Sequence, residues 1–512
     1  MILALYSEEI KMTKIIKNKT ILSAILFVSI FSVSAYAVER KYIPNTADAV
    51  ISFNLDNLSK KAEGNSQQML NSLLMQSLAD RFLEMRNDEA VAEAMTNKLA
   101  QLLDFSKDSK IIFLNDYGKL SLMVDILDIT ELDKLMIKIA SQEDKLISFS
   151  TNANYRYLSL DENTLISWNN EIFTVSLRGL FFEDNDNIID SAENIFKGVG
   201  LENEYFISLE NETNDCYVWM DLSFLSDSEG SLFELLLELA GDMPESAKDI
   251  YKDGVLTGKI NFNNGTADMV FDTYIPNNTY DFSSLKKQLS ENILKFVNGN
   301  NNYGFLSFAF NTSALSKIFG DMNYISLLFD NEKANQVKTE LGIDDAKLFE
   351  LLGGDVFVSG WEIEDNKNVL LFSISITDEE TAKKILNILS DSKEGDIYII
   401  DGDYYYIKDS ILYMVNEKSV IDSIVRGEVP NSKLDENKLK LARENMFSFD
   451  IEFAPFLELL FGSDEKSDIE GFESIYLTSN IIDNKHTQTI IKLEANDKTK
   501  NILTVIKSLF TE

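Results

Sequence analysis

The sequence predicts an α+β protein built as two tandem, diverged copies of one unit, each a mostly antiparallel sheet with helices packed on one face. Three observations carry this expectation. Hydrophobic spacing passes from period two to period 3.6 at acidic residues placed to open helices. Polar turns join alternating strands, as hairpins require. The same landmarks then recur once, in the same order, in residues 303–510 as in 42–297.

Each copy opens on an alternating strand that runs into a polar cap and a helix. Ile51-Ser52-Phe53-Asn54-Leu55-Asp56-Asn57 and then Leu58-Ser59-Lys60 read against Leu306-Ser307-Phe308-Ala309-Phe310-Asn311-Thr312 and, after two extra residues, Leu315-Ser316-Lys317. A long first helix is expected over residues 66–103, with Met69, Leu70, Leu73, Leu74 and Leu78 as a core-facing stripe rather than a cofactor groove. Leu122, Val124 and Ile126 then alternate as a strand, and Asp128 opens a helix carrying Lys134, Leu135 and Ile139. Phe372, Ile374, Ile376, Asp378, Lys384, Ile385 and Leu389 repeat that pattern. Tyr155-Arg156-Tyr157-Leu158 answers to Tyr404-Tyr405-Tyr406-Ile407, each the first arm of a hairpin, with polar turns Asp161-Glu162-Asn163 and Lys408-Asp409-Ser410.

The order continues toward the end of each copy. Ile189-Asp190-Ser191 matches Ile421-Asp422-Ser423 at a helix. Met220-Asp221-Leu222-Ser223-Phe224 matches Phe449-Asp450-Ile451-Glu452-Phe453, and Leu-rich helices follow at 232–240 and 456–461. Leu256-Thr257 pairs with Leu477-Thr478, and the turn Asn263-Asn264-Gly265 with Asp483-Asn484-Lys485. The closing helices share Asn292-Ile293-Leu294 and Asn501-Ile502-Leu503. Turn-forming residues cluster at Asn298-Gly299-Asn300-Asn301-Asn302, which sets the expected domains at 1–37 for the leader, 38–297 for the first repeat and 298–512 for the second.

The leader has the zones of a secretory signal peptide. Lys14, Lys17 and Lys19 precede the apolar run 21–31, which ends in Ser34-Ala35-Tyr36-Ala37, so cleavage is expected after Ala37. Met12 starts a conventional leader by itself. The alternative is retention as an anchor, since 21–37 approaches the roughly 20 apolar residues that span a bilayer. No later stretch is long and apolar enough to cross a membrane. The expected location is therefore the periplasm or the exterior.

Charge and cysteine content bound the partners. The chain carries a net charge of −37, a sign that repels nucleic acid and anionic headgroups. Cys216 is the only cysteine, so no internal disulfide staples the fold and an apolar core must hold it. With 45% hydrophobic residues, including 33 Phe, there is material for two such cores.

Catalytic motifs are missing. A single histidine, His486, excludes HExxH and most imidazole-based triads, and its place beside Lys485 reads as an exposed turn. No phosphate-cradling glycine motif occurs, and the Gly353-Gly354-Asp355 turn is too short to be one. Carboxylates number 84, so a pair such as Asp125 with Asp128 has no special standing as a hydrolase acid and base. Asp221 and Asp450 fall at matching strand positions and are expected to face solvent or to cap the next helix. Glu183-Asp184-Asn185-Asp186-Asn187 is rich in oxygen ligands but lacks the glycine and distal glutamate of an EF-hand. Trp168, Trp219 and Trp361 lie in strand-like segments and are expected to be buried rather than offered to a sugar or peptide. No catalytic, cofactor-binding or metal-binding residue is assigned, and no cofactor is expected.

The mature opening, Tyr42-Ile43-Pro44-Asn45-Thr46-Ala47-Asp48-Ala49-Val50-Ile51-Ser52-Phe53, with a capped helix after it, resembles a family of exported bacterial proteins of unknown function and of about this length. Those proteins are frequently lipoproteins. This chain departs from them in having no lipid-bearing cysteine at the cleavage site, and the resemblance brings no catalytic residues with it. The functional expectation is a non-catalytic binding or structural role in the cell envelope or outside the cell, toward a protein, peptide or glycan. The alternative is a hydrolase of glycan or peptidoglycan working with two carboxylates.

Overall fold

The computed structural model describes residues 39–62, 89–104, 109–114, 119–141, 149–151, 154–160, 163–177, 188–223, 253–319, 331–343, 347, 350–363, 367–455 and 471–508. The leader, the stripe from Met69 to Leu78, the acidic stretch 183–187 and the Leu-rich segments 232–240 and 456–461 lie outside the described residues. The described chain divides into two compact units. One holds the residues up to 277 together with 498–508, and the other holds 278–497.

In the first unit β1 (Ala47–Phe53) runs into α1 (Leu55–Lys61), capped where the Asn54 side chain accepts a bond from Asn57 N at 2.9 Å. There follow α2 (Glu89–Ala100), β2 (Leu103–Asp104), β3 (Ser109–Leu114), β4 (Lys119–Ile126), α3 (Ile129–Ser141), β5 (Phe149–Thr151), β6 (Arg156–Ser159), β7 (Thr164–Trp168) and β8 (Ile172–Leu177). Next come α4 (Ile189–Phe196), α5 (Glu204–Glu210), β9 (Cys216–Asp221), β10 (Val255–Asn263) and β11 (Thr266–Tyr274). All pairings are antiparallel, in the order β11-β10-β9-β1-β3-β4-β8-β7-β6-β5, with β2 also on β4.

The second unit comprises β12 (Asn302–Ala309), α6 (Thr312–Phe319), α7 (Asn331–Leu341), β13 (Leu352–Ile363), β14 (Lys367–Ile376), α8 (Glu379–Leu389) and β15 (Ser392–Glu394). It continues with β16 (Ile397–Ile400), β17 (Asp403–Lys408), β18 (Ile411–Val415), α9 (Lys418–Arg426), α10 (Glu436–Glu444), β19 (Phe447–Glu452), β20 (Phe472–Asp483) and β21 (His486–Ala495). Its order, β21-β20-β19-β12-β13-β14-β18-β17-β16-β15, is that of the first unit strand for strand. The switch of period at Asp378 is a helix cap, its carboxylate accepting from Glu380 N and Thr381 N at 3.0 and 3.2 Å. Asp128 accepts likewise from Glu131 N at 3.0 Å. Each hydrogen-bonds backbone donors that a helix start leaves without partners.

Helices cover both faces of the sheet, not one. Along β4, Leu122 and Val124 enter a core with Leu99 of α2 and with Leu132, Met136 and Ile139 of α3. Met123, between them, enters a different core with Ile195 and Phe196 of α4 and Phe206 of α5. The second unit divides in the same way: Tyr405 and Ile407 of β17 lie with Ile385 and Leu389 of α8, while Ile411 and Tyr413 of β18 lie with Ile421 and Ile424 of α9. Small hydroxyl residues conceal this in the sequence. Ser121 bonds Ser176 at 2.7 Å and Ser167 bonds Thr174 at 2.6 Å, all four buried. Paired with each other they need no water, so polar letters in the strands did not mark a solvated face.

Among the described residues no helix is long and apolar enough to cross a membrane.

Candidate functional site

The strands of the 278–497 unit place their apolar side chains in an unexpected direction. On β19, Ser448 and Asp450 point under α10, where Ser448 Oγ donates to Leu441 O at 2.6 Å. Phe447, Phe449 and Ile451 therefore point to the opposite face. Register extends that face across the sheet: Ile491, Leu477, Phe449, Leu306 and Val358 form one row, reaching Phe372. The next row includes Phe447 and Phe308, whose rings meet edge to face at 4.8 Å, and then Val356. At the β17–β18 end this face is buried beneath α8. At the β12–β19–β20 end Leu306, Phe308, Phe447, Phe449 and Leu477 stay only half-buried. Apolar side chains that keep part of their surface accessible on a sheet face are suited to contact with an apolar partner.

Buried carboxylates are the other place where chemistry would reside, and three with described partners each hold a lysine. Asp215 lies 2.5 Å from Lys61 Nζ, Asp355 lies 2.9 Å from Lys287 Nζ, and Asp450 lies 2.8 Å from Lys438 Nζ. Asp215 is saturated, since it also accepts from Phe262 N at 2.6 Å and Asn57 Nδ2 at 3.1 Å. The contacts of Asp355 and Asp450 are charge pairs without the alignment of a good hydrogen bond. Burial lifts the Asp450 carboxyl above the usual carboxylate range, with Lys438 opposing. Burial also works to lower Lys438, but Asp450 and Glu452 outweigh it and leave the ammonium raised.

Lys438 Nζ also donates to Glu452 Oε1 at 2.7 Å. Asp450 and Glu452 are thus two carboxylates bridged by one ammonium. A glycosidase needs its acids about 5 to 10 Å apart with the scissile bond between them, and here the lysine occupies the intervening space. Asp355 lines a cavity of about 250 Å³ with Lys287, Ser375, Asp409 and Ser410. That is below the roughly 300 Å³ at which small-molecule clefts begin, and Lys287 Nζ spends a bond on Gly353 O.

Several expectations change with the structure. Asp450 neither faces solvent nor caps a helix; it is buried beneath α10. Counted from β1 and β12, where Phe53 stands opposite Cys216 and Phe308 opposite Phe447, Asp221 is level with Glu452; counted from β10 and β20, where Leu256 stands opposite Met220 and Leu477 opposite Phe449, it is level with Asp450. The two counts differ by two residues, which keeps every side chain on its face. Asp221 accepts from Ser223 N at 2.9 Å in a local turn. His486 is not in the turn: it opens β21 opposite Asp483 and is partly exposed. Gly353-Gly354-Asp355 is a bulge within β13, where the register shifts between Leu352 and Val356.

Gly354 has φ +85°, and a Cβ there would stand 1.9 Å from Phe310 O. Gly354→Ala should therefore destabilise the unit by at least about 2 kcal/mol, read as a lower urea midpoint with unchanged slope.

The tryptophans are buried. Trp168 Nε1 donates to Asp133 at 2.8 Å and Trp219 Nε1 to Asn203 at 3.2 Å; Trp361 is 2% exposed. None offers a ring to a ligand. Asp125 is on β4 and Asp128 at the start of α3, and the latter's carboxylate is committed to its cap. Burial pushes the Cys216 thiol up, which makes it a poor nucleophile. Among the described residues no three His, Cys, Asp or Glu side chains group to hold a metal.

Fold and site together define an α+β protein with mostly antiparallel sheets and, among the described residues, a half-buried apolar sheet face. The chain belongs to the family of the Brachyspira hyodysenteriae protein named "Uncharacterized protein in tlyA 5'region". The two are 44% identical over 144 residues, which is 28% of this chain and 93% of that protein. No family model matches the chain. Crystal forms III and I of TP0453 align over 49% of this chain and 84% of theirs, at 11% and 10% identity with TM-scores of 0.28 and 0.27. Scores of that size do not establish a shared fold.

Proposed function

We propose that the protein is an exported, non-catalytic binding protein of the cell envelope, made of two diverged copies of one unit, and that the apolar sheet face of residues 278–497 receives a peptide or protein segment. The observation that carries this reading is the direction of β19, with Phe447, Phe449 and Ile451 turned away from the helix above and Ser448 and Asp450 turned toward it. A glycan is the poorer occupant, because sugar platforms use exposed aromatic planes and the three tryptophans are buried. The signal-peptide zones favour export, and the matching strand orders favour duplication.

The test is site-specific photocrosslinking in cells with the full chain. Probes at Leu306 and Phe449 should give one discrete adduct, and a probe at the exposed Glu380 on α8 should not. Equal labelling from all three positions, or none from the face, would rule the reading out.

The second reading is a hydrolase, favoured by the closeness of Asp450 and Glu452. Purified mature protein is expected to release no soluble fragments from peptidoglycan. Turnover that Asp450→Asn and Glu452→Gln both abolish while the fold is kept would establish the hydrolase instead.

A further inference from the structure

The unit formed by residues 39–277 is not closed by the chain that directly follows it. β11 ends at Tyr274, and from residue 278 onward the chain belongs to the other unit. Closure comes from residues 498–508. Lys500 O accepts from Gly265 N at 2.8 Å, Asn501 bridges Asn264, and Asn501 Nδ2 donates to Phe262 O at 2.9 Å. After this anchor, α11 (Ile502–Ser508) lies on α1 and β10 with Ile502, Leu503 and Ile506 buried.

The seat is fitted to the segment. Gly265 has φ +72°, and a Cβ there would come within 2.7 Å of Lys498 Cα, so backbone passes directly over the hairpin turn. The matching turn of the other unit is also occupied. Asn484, between β20 and β21, accepts from Ser283 N at 2.7 Å and from Asn278 Nδ2, and Lys286 Nζ donates to Ile482 O at 2.6 Å. There the occupant is a segment that precedes β12 in the chain.

We propose that the β10–β11 turn with α1 is a docking site for residues 498–508, so that the 39–277 unit reaches its final fold only after that segment has been made. The 278–497 unit is closed by residues made before its first strand. The order of completion is therefore the reverse of the order of synthesis.

Native-state hydrogen exchange on the full chain tests the docking. Ile502→Ala should lower amide protection in α1 and β10 by at least about 30-fold, and leave β13 and β14 unchanged. Loss confined to β20 and β21, which lead directly into Lys498, would overturn the assignment. Folding order is read by limited proteolysis of ribosome-held chains arrested with Asp497 just outside the exit tunnel. Residues 39–277 should then remain protease-sensitive, become resistant on release of the full chain, and stay sensitive on release of Ile502→Asp. Equal resistance in arrested and released chains would refute the proposal.

Discussion

Lys438→Met should lower the stability of the 278–497 unit by about 3–5 kcal/mol. Asp450 is 4% exposed, and Lys438 stands 2.8 Å from it beneath α10. Removing the ammonium leaves a buried carboxylate without its counter-charge, which costs far more than the net worth of the pair. Asp450 then takes up a proton more readily, because the opposing influence of Lys438 on its already raised pKa is gone.

The sign of the pH dependence follows from that raised value. A carboxyl that binds its proton more tightly when folded contributes stability that is fully present below its unfolded pKa and is lost as pH rises through the folded one. The penalty of Lys438→Met should therefore be largest near neutrality and shrink as pH falls through the raised range of Asp450. Urea unfolding followed by the fluorescence of Trp361, with Trp168 and Trp219 replaced by Phe, measures it. Asp450→Asn added to Lys438→Met should recover part of the loss. A cost under about 1 kcal/mol at pH 7 would mean that the pair behaves as a surface ion pair.

Asp215→Ala should cost the first unit about 3–5 kcal/mol. The carboxylate is 1% exposed and gathers three donors: Lys61 Nζ and Asn57 Nδ2 from α1, and Phe262 N from β10. Alanine strands the buried amide of Phe262, which then carries its full desolvation cost, and frees α1 from the sheet. Asp215→Asn keeps the volume and one acceptor, so it should cost less than alanine does. Trp219 fluorescence during urea unfolding reads both variants; equal stability of Asp215→Ala and the parent would show that the contacts carry no net free energy.

How much of this was legible in the sequence differs from element to element. The caps at Asp128 and Asp378 were, because a carboxylate before an apolar helical stripe has one common local use. The burial of the tryptophans was legible too, since a large apolar ring in a strand-like segment is more often core than surface. Asp450 was not. Its burial depends on β19 folding back under α10, which sets Lys438 of the preceding helix beside it, and no local pattern encodes that turn. Covering helices on both faces were hidden by Ser121, Ser167, Thr174 and Ser176, whose mutual hydrogen bonds let polar letters sit in a core.

The sequence by itself determined the α+β class and the helix starts at Asp128 and Asp378, because these rest on periods and caps that act over a few residues. Only the tertiary structure decided which face of β19 turns away from its helix, which lysine neutralises which aspartate, and which unit residues 498–508 complete. Those outcomes are set by packing between separate elements, which no local period or cap encodes.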